Sequence, residues 1–492
     1  MIASSIKKTL AIVCFAAAVV MSGPLRAESL SSALISAYQT SNLLDQRRAL
    51  LRAADEDIVI AGASLLPVIR FIANANFVSP TPVPGDDNWS ATARLTADLT
   101  LYDNGQTRYA VDAAKETVLG LRGALLQVEQ QVLLSTVRAY MEMIRAAQFV
   151  SLGQNNVRLI TQELRAARDR FAVGEVTRTD VAIAEARLAA SRGNLAAAQG
   201  DLEIARENYK LVVGHYPGNL RWPTNPAMRA KTEAAAKAFA VRHHPSIEEA
   251  QRNVNAAEAN IRRAHAAMGP TVTGSSSVVF SEGFNSTFNA GVGVNVPIYS
   301  GGALRAAERK AAAQRDAARS LLLQSVIDVK NQVGVAWARL SVSIARTEAA
   351  RRQVRASQVA YNGVREEVKF GSRTTLDVLN AEQELLDARS NLISAEVLQY
   401  VSLYELFASM GLLTSEHLAL GIPTYDPIEY YKYATTHDPM RVLSRRQGAG
   451  SCPGRVKKIE TIGGCKELCE KHQAVRLMAK YKTHEGRACL NL

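Results

Sequence analysis

Gly174-Glu175-Val176-Thr177-Arg178-Thr179-Asp180-Val181 and Gly371-Ser372-Arg373-Thr374-Thr375-Leu376-Asp377-Val378 are two copies of one turn, G-x-x-T-x-x-D-V, at a constant offset of 197 residues. Each lies between two long Ala-rich segments. A Gly can end the first segment as a helix with positive φ. Thr177 and Thr374 suit the N-cap of the next helix, and Asp180 and Asp377 fall in its first turn, where a negative charge complements the dipole. A single such turn is an ordinary helical hairpin; its repetition makes it the key to the chain.

The repeat extends outward from the turns without a gap. Ala184, Glu185, Leu188, Arg192, Asn194, Leu195, Ala198 and Gly214 match Ala381, Glu382, Leu385, Arg389, Asn391, Leu392, Ala395 and Gly411. Upstream, Tyr140 falls on Trp337, Arg108 on Arg305 and Ala110 on Ala307, while Pro67 pairs with Pro270, so the offset grows by six. A surface loop between two strands absorbs such a change. An offset near 200 is too long for a solenoid repeat. The chain therefore reads as one structural half used twice: residues 28–214 and 232–411, joined by the turn-rich linker 215–231, with an irregular segment 412–440 after them.

The ends differ from the body. Lys7 and Lys8 precede an apolar run from Leu10 to Met21 and then Ser22-Gly23-Pro24-Leu25-Arg26-Ala27, a secretory pattern with cleavage expected after Ala27. Residues 1–27 are thus expected to be a signal peptide. Cys14 lacks the small residue that precedes a lipidated Cys. No later stretch approaches 18 apolar residues, so no transmembrane helix is expected after the signal. The other four cysteines, Cys452, Cys465, Cys469 and Cys489, lie in the tail 441–492, which holds twelve Lys/Arg against four Asp/Glu. Their spacing fits no zinc template; two disulfides could form in an oxidising compartment, but an exposed tail with no defined chemistry is the favoured reading. With that tail and the leader set aside, the net charge of +12 reduces to near neutrality in the body. Nucleic acid is therefore not expected as a partner.

Four stretches alternate with period two. Residues 68–79 carry Ile69, Phe71, Ala73, Ala75 and Phe77 on one side. The next strand carries Trp89, Ala91, Ala93, Leu95, Ala97, Leu99 and Leu101 opposite Ser90, Thr92, Arg94, Thr96, Asp98 and Thr100. The second half repeats this at 271–281 and 286–299. Strands of this length, apolar on one face and polar on the other, suit a membrane-spanning barrel. Four strands cannot close one, and an open edge cannot face lipid, so several chains must share it; three copies give twelve strands. After each strand pair come stretches without Pro, 105–170 and 302–369, each expected as a helix of about 100 Å. The helices 179–213 and 376–410 return from the turns. Helices at 28–64 and 232–268 stack end to end with those returning ones. Patterning over such lengths points to coiled coil.

These residues carry a resemblance. Val296-Pro297-Ile298-Tyr299-Ser300-Gly301-Gly302 and the two G-x-x-T-x-x-D-V turns, in their duplicated frame, resemble the TolC family of outer-membrane channel-tunnel proteins over about residues 28–424. The resemblance implies an α+β membrane protein: a homotrimer with a shared twelve-stranded β-barrel in the outer membrane and a long α-helical coiled-coil barrel across the periplasm. It implies docking to a periplasmic adaptor and to an inner-membrane transporter of RND or ABC type, with the cargo set by the transporter. Carried over residue by residue, the tips Gly174, Thr177, Gly371 and Thr374 would dock the adaptor. Thr179, Asp180 and Arg373 would tie neighbouring helices in the closed state, and Asp377 would line the periplasmic aperture with Asn380 beside it. Val368 stands where some members have Tyr and Asn380 where some have a second Asp.

Two other functions are weighed against this one. An enzyme needs a convergent catalytic set; H-E-x-x-H, G-x-S-x-G and a P-loop are all missing from the sequence. The pair His243-His244 precedes Pro245 at a helix start and reads as a surface cap region rather than a metal site. Neither catalysis, a metal nor a cofactor is expected. A structural or adhesive coiled-coil protein of the envelope would explain the helices, but not the amphipathic strands placed alike in both halves.

Overall fold

A computed structural model of the chain describes residues 28–77, 79, 89–224, 230–281 and 286–436. The expected signal peptide 1–27, the Pro-rich turn at 80–87, the cysteine-containing tail 441–492 and the last residues of the 412–440 segment lie outside them. Each half runs through two short helices, two strands and a long helical hairpin. The first half comprises α1 (Leu30–Thr40), α2 (Asn42–Gly62), β1 (Val68–Phe77), β2 (Trp89–Tyr102), α3 (Gln106–Ala172) and α4 (Arg178–Val213). The second comprises α5 (Glu233–His243), α6 (Pro245–Ala266), β3 (Thr271–Phe280), β4 (Ser286–Asn295), α7 (Ala303–Lys369) and α8 (Thr375–Ser409). A last helix, α9 (Pro427–Thr436), follows.

The strands form one antiparallel sheet in the order β1-β2-β3-β4, with one pair from each half. The register sorts the two faces. Arg70 pairs with Thr96, Thr96 with Ser277 and Ser277 with Asn289, so the polar side chains share one face. The other face exposes Ile69, Phe71, Trp89, Leu95, Phe288, Val292 and Val294. An apolar face of this extent, left open over a whole sheet, is a surface made for contact with something other than water. Both outer strands, β1 and β4, are sheet edges. The alternation at 286–299 predicts a longer last strand than is found. β4 ends at Asn295, because Pro297 has no N–H for the ladder, and Ile298 and Tyr299 project outward, 94% and 89% exposed.

Two expected single helices are each broken once. The stretch 28–64 splits at Ser41, whose side chain accepts from Leu44 N. The stretch 232–268 splits at His244-Pro245, where His244 Nδ1 accepts from Ser246 N and Pro245 opens α6. His244 is buried, at 8% exposure, so the surface position expected for the histidine pair holds for His243 alone. The breaks are equivalent once the six extra residues are counted. Each receives the end of a returning helix. Gly214 closes α4 at φ +92°, and a Cβ there would lie 2.8 Å from Thr40 Oγ1. Gly411 follows α8 at φ +78°, and its Cβ would lie 3.1 Å from Pro245 Cδ. Only glycine combines this backbone with this approach.

The main core gathers around these junctions and joins the halves. Leu133, Val137, Tyr140 and Met141 of α3 pack with Leu30 and Leu34 of α1, Tyr209 and Val213 of α4, Val333 of α7, and Leu406 and Phe407 of α8. Fully buried Tyr140 donates its hydroxyl to the carbonyls of Glu28 (3.0 Å) and Arg221 (2.7 Å). Glu28 in turn accepts from Tyr209 Oη at 2.6 Å and from Gly218 N at 3.0 Å. The 215–231 linker is thereby tied to the start of the described chain. Tyr425 and Tyr431 pack against Leu51, Ile58 and Val118, and Arg48 stacks over Tyr38 and Tyr425, a cation–π arrangement.

Gly214→Ala is expected to destabilise the protein by about 1–3 kcal/mol, the cost of forcing a side chain into this backbone region. Gly200→Ala, mid-helix with open space at its Cβ, should instead stabilise by up to about 1 kcal/mol. Thermal unfolding of the two purified variants in detergent measures the contrast; an unchanged melting temperature for Gly214→Ala would contradict the junction.

Candidate functional site: the two hairpin tips

The turns close in the same way in both halves. Gly174 N donates to Phe171 O and Glu175 N to Arg170 O; Gly371 N donates to Val368 O and Ser372 N to Glu367 O. Both are Schellman closures with a glycine at positive φ, +82° and +72°. The next helix then starts with a reciprocal cap. Thr177 Oγ1 accepts from Asp180 N (3.3 Å), and Asp180 Oδ2 accepts from Thr177 N (2.9 Å) and from its hydroxyl (2.7 Å). Thr374 and Asp377 repeat this at 3.3, 2.9 and 2.8 Å. The hydrogen bonds from Thr177 hold Asp180, and those from Thr374 hold Asp377, below the usual carboxylate range. The expected caps Thr177 and Thr374 are therefore found, and the sequence carries them because S/T-x-x-D/E satisfies two orphan amides at once.

The remaining tip residues divide. Space is open around Gly174 and Gly371, with nothing within 4 Å of a Cβ at either. Thr179 is exposed. Arg373 Nε lies 3.0 Å from Glu367 Oε2 of its own hairpin, and Asp180 is engaged by its own Thr177. Within one chain, Thr179, Asp180 and Arg373 are thus not brought together among the described residues. The polar link between hairpins runs elsewhere: Arg187 Nη2 of α4 donates to Asn380 Oδ1 of α8 at 3.2 Å. Below it, Leu379 packs with Ile160, Leu164, Ala184 and Leu188.

Two features were not read from the sequence. Val173 and Phe370, equivalent at the offset of 197, stand 71% and 85% exposed beside the glycines. Their position one residue before each turn glycine was a usable signal. Glu382 is buried with neither carboxylate oxygen hydrogen-bonded, and nothing local in its sequence distinguishes it from exposed Glu185.

A lipid-suited sheet continuous with two helical hairpins, each a long helix and a shorter return, defines a channel-tunnel of the outer membrane, with its helices on the periplasmic side. The chain belongs to the outer membrane efflux protein family, whose model matches residues 34–215 and 240–412. It is similar to the outer membrane efflux protein BepC of Brucella suis biovar 1, with 35% identity over 85% of this chain and 94% of that one. It is also similar to the proteases secretion protein PrtF of Dickeya chrysanthemi, with 25% identity over 69% and 79%. Among solved structures, the outer membrane protein VceC of Vibrio cholerae superposes with a TM-score of 0.65 at 20% identity, covering 78% of this chain and 96% of that one.

Thr374→Ala should weaken the first turn of α8 by about 1 kcal/mol while leaving α4 untouched. Hydrogen exchange over residues 375–380, compared with 178–183 in the same sample, measures this. A difference between the two segments unchanged from that in the unaltered protein would show that the cap contributes nothing there.

Proposed function

We propose that three copies of this chain close one twelve-stranded barrel and one helical tunnel. The tunnel would export cargo in company with a periplasmic adaptor and an inner-membrane transporter of RND or ABC type. The observation that carries the reading is the four-stranded sheet with an apolar outer face and two open edges. Edge backbone groups left unpaired in hydrocarbon are untenable. Because β1 and β4 run antiparallel, β4 of one copy can pair with β1 of the next and leave no edge. The long helix α7 supports the same assembly: Leu321, Leu323, Ile327, Val342 and Val359 are exposed along it in a single chain, as a face awaiting a second copy would be. The relatives named for efflux and for protease secretion leave both small molecules and proteins open as cargo.

In this reading the hairpin tips are the periplasmic end. Gly174, Thr177, Gly371 and Thr374 form the adaptor-docking edge, where glycine permits close backbone approach. Thr179, Asp180 and Arg373 link neighbouring helices across the assembled tunnel. Three copies of Asp377, one turn from Asn380, surround the narrow axis, and repulsion among like charges there favours multivalent cations. Native mass spectrometry in detergent should give the mass of three mature chains, and planar bilayers discrete conductance steps. Divalent cations added from the periplasmic side should block those steps, with at least tenfold weaker block in Asp377→Asn. Equal block in both proteins would return Asp377 to its capping role alone. Gly371→Trp should preserve trimer and conductance yet abolish export from cells.

A further inference from the structure

The offset that pairs Glu185 with Glu382 also pairs Arg168 with Arg365. In the first hairpin the two residues make a surface ion pair: Arg168 Nη2 lies 2.6 Å from Glu185 Oε1, with the side chains 58% and 50% exposed. In the second hairpin the same two residue types sit at the same spacing, but the carboxylate has turned inward. Glu382 is 4% exposed, and neither oxygen has a hydrogen-bond partner. The surroundings explain the inward turn. One side of this stretch of α8 packs on the first hairpin, with Leu379 against Ile160 and Leu164 of α3 and Ala184 of α4. The other side packs on α7, with Val378 and Leu385 against Tyr361 and Val364.

The charged and titratable groups facing this contact come from each neighbouring element. Helix α3 presents Glu163 and α7 presents Arg365 to Glu382. Tyr361 of α7 feels the Glu382 charge. Helix α4 presents Arg187, occupied by Asn380, and Glu185, occupied by Arg168. An ionised carboxylate without donors is costly to keep in such a place, whereas a protonated one is tolerated. Burial first, and the Glu163 charge second, push Glu382 up to about 7 against a partial offset from Arg365.

We propose that Glu382 is a proton-operated latch of the tunnel: protonated, it lets the tip of α7–α8 pack on α3 and α4; ionised, it leaves that contact and takes Arg365 as its partner, as Glu185 takes Arg168. The proton goes to solvent and no other group changes state. The latch rests on the reading of the tips as the tunnel's narrow end. The direction follows from linkage. The packed arrangement binds the proton more tightly than the released one, so its advantage is full below the ordinary carboxyl value of 4.5. It is lost as pH rises from there to about 7, by about tenfold per pH unit. Acid therefore holds the tips together and neutral or alkaline conditions loosen them.

The test uses the full protein in detergent and in planar bilayers, as wild type, Glu382→Gln and Arg365→Gln. Glutamine keeps the shape of the protonated acid and cannot ionise. Hydrogen exchange over residues 375–385, corrected for the intrinsic pH dependence, should lose protection about tenfold per unit between pH 5 and 7 in wild type. It should stay constant in Glu382→Gln and shift to higher pH in Arg365→Gln. The equivalent segment 178–188 should show no such loss in any of the three. Open probability in bilayers should follow the same pattern. A Glu382→Gln profile that tracks wild type, or a wild type with no pH dependence, overturns the latch. The expected exchange pattern without conductance from any of the three proteins would instead overturn the channel reading and leave the latch standing.

Discussion

The seating of a returning helix on a break between two shorter ones is the constraint on which the rest of this structure depends. A helix of 67 residues cannot hold its shape in isolation, because helical stability in proteins comes from packing along an apolar stripe. Each long helix here needs a partner over its whole length, and no single returning helix is long enough. The solution is a composite partner, in which α1 and α2 continue the line of α4, and α5 and α6 that of α8. The joint must transmit packing without a gap. It does so by ending the returning helix in a left-handed glycine and bringing its Cα against Thr40 in one half and His244-Pro245 in the other. The main core lies at this level, where six helices meet and where Tyr140 fixes both the linker and Glu28.

From that level the chain faces two solvents. Toward the sheet, packing gives way to hydrogen bonding between strands, and the side chains sort by face rather than by depth. Pro67 and Pro270 mark the passage from helix to strand, and the pairs Asn104-Gly105 and Gly301-Gly302, all at positive φ, mark the passage back. Toward the tips, the helices are covered by fewer neighbours, and the pairing of α3 with α4 and α7 with α8 is held by small clusters around Leu164 and Tyr361. A region with a small core opens more easily than one with a large core. The tips are therefore where motion belongs, and the junction is where it stops.

The legibility of the sequence followed the range of each interaction. The caps at Thr177 and Thr374 were readable because four consecutive residues contain every atom involved. The strands were readable because alternation is a local consequence of the pleat. The break at Ser41 was not, because Ser does not forbid a helix by itself, whereas Pro245 marked a helix start at the second break; each break receives a glycine about 170 residues away in sequence. The overlong reading of β4 had a different cause: the apolar alternation through Val296 and Ile298 continues past the point where Pro297 ends the ladder. At the candidate site, residue types and positions were legible, whereas partners were not. Arg373 pairs with Glu367 and Asn380 with Arg187, and both choices are made by how the hairpins pack rather than by spacing.

The duplication makes it possible to separate what a motif dictates from what its surroundings dictate. The Schellman closures and capping boxes agree between the halves to within about 0.1 Å in each cap hydrogen bond, because both are closed within their own backbone. The Arg-Glu pair one turn further along does not agree: it is a solvated ion pair in one hairpin and a buried, unpaired carboxyl in the other. Identical residues at identical spacing can differ this way only if the third and fourth helices around them differ. Within one chain they do, since α8 is enclosed by α3, α4 and α7 whereas the face of α4 that carries Glu185 has no such cover from its own chain. A duplicated chain that stayed symmetric would give all its hairpins the same freedom to move. Within one chain, the buried carboxyl gives the second hairpin a contact that the first lacks, and the proposed latch is built on that difference.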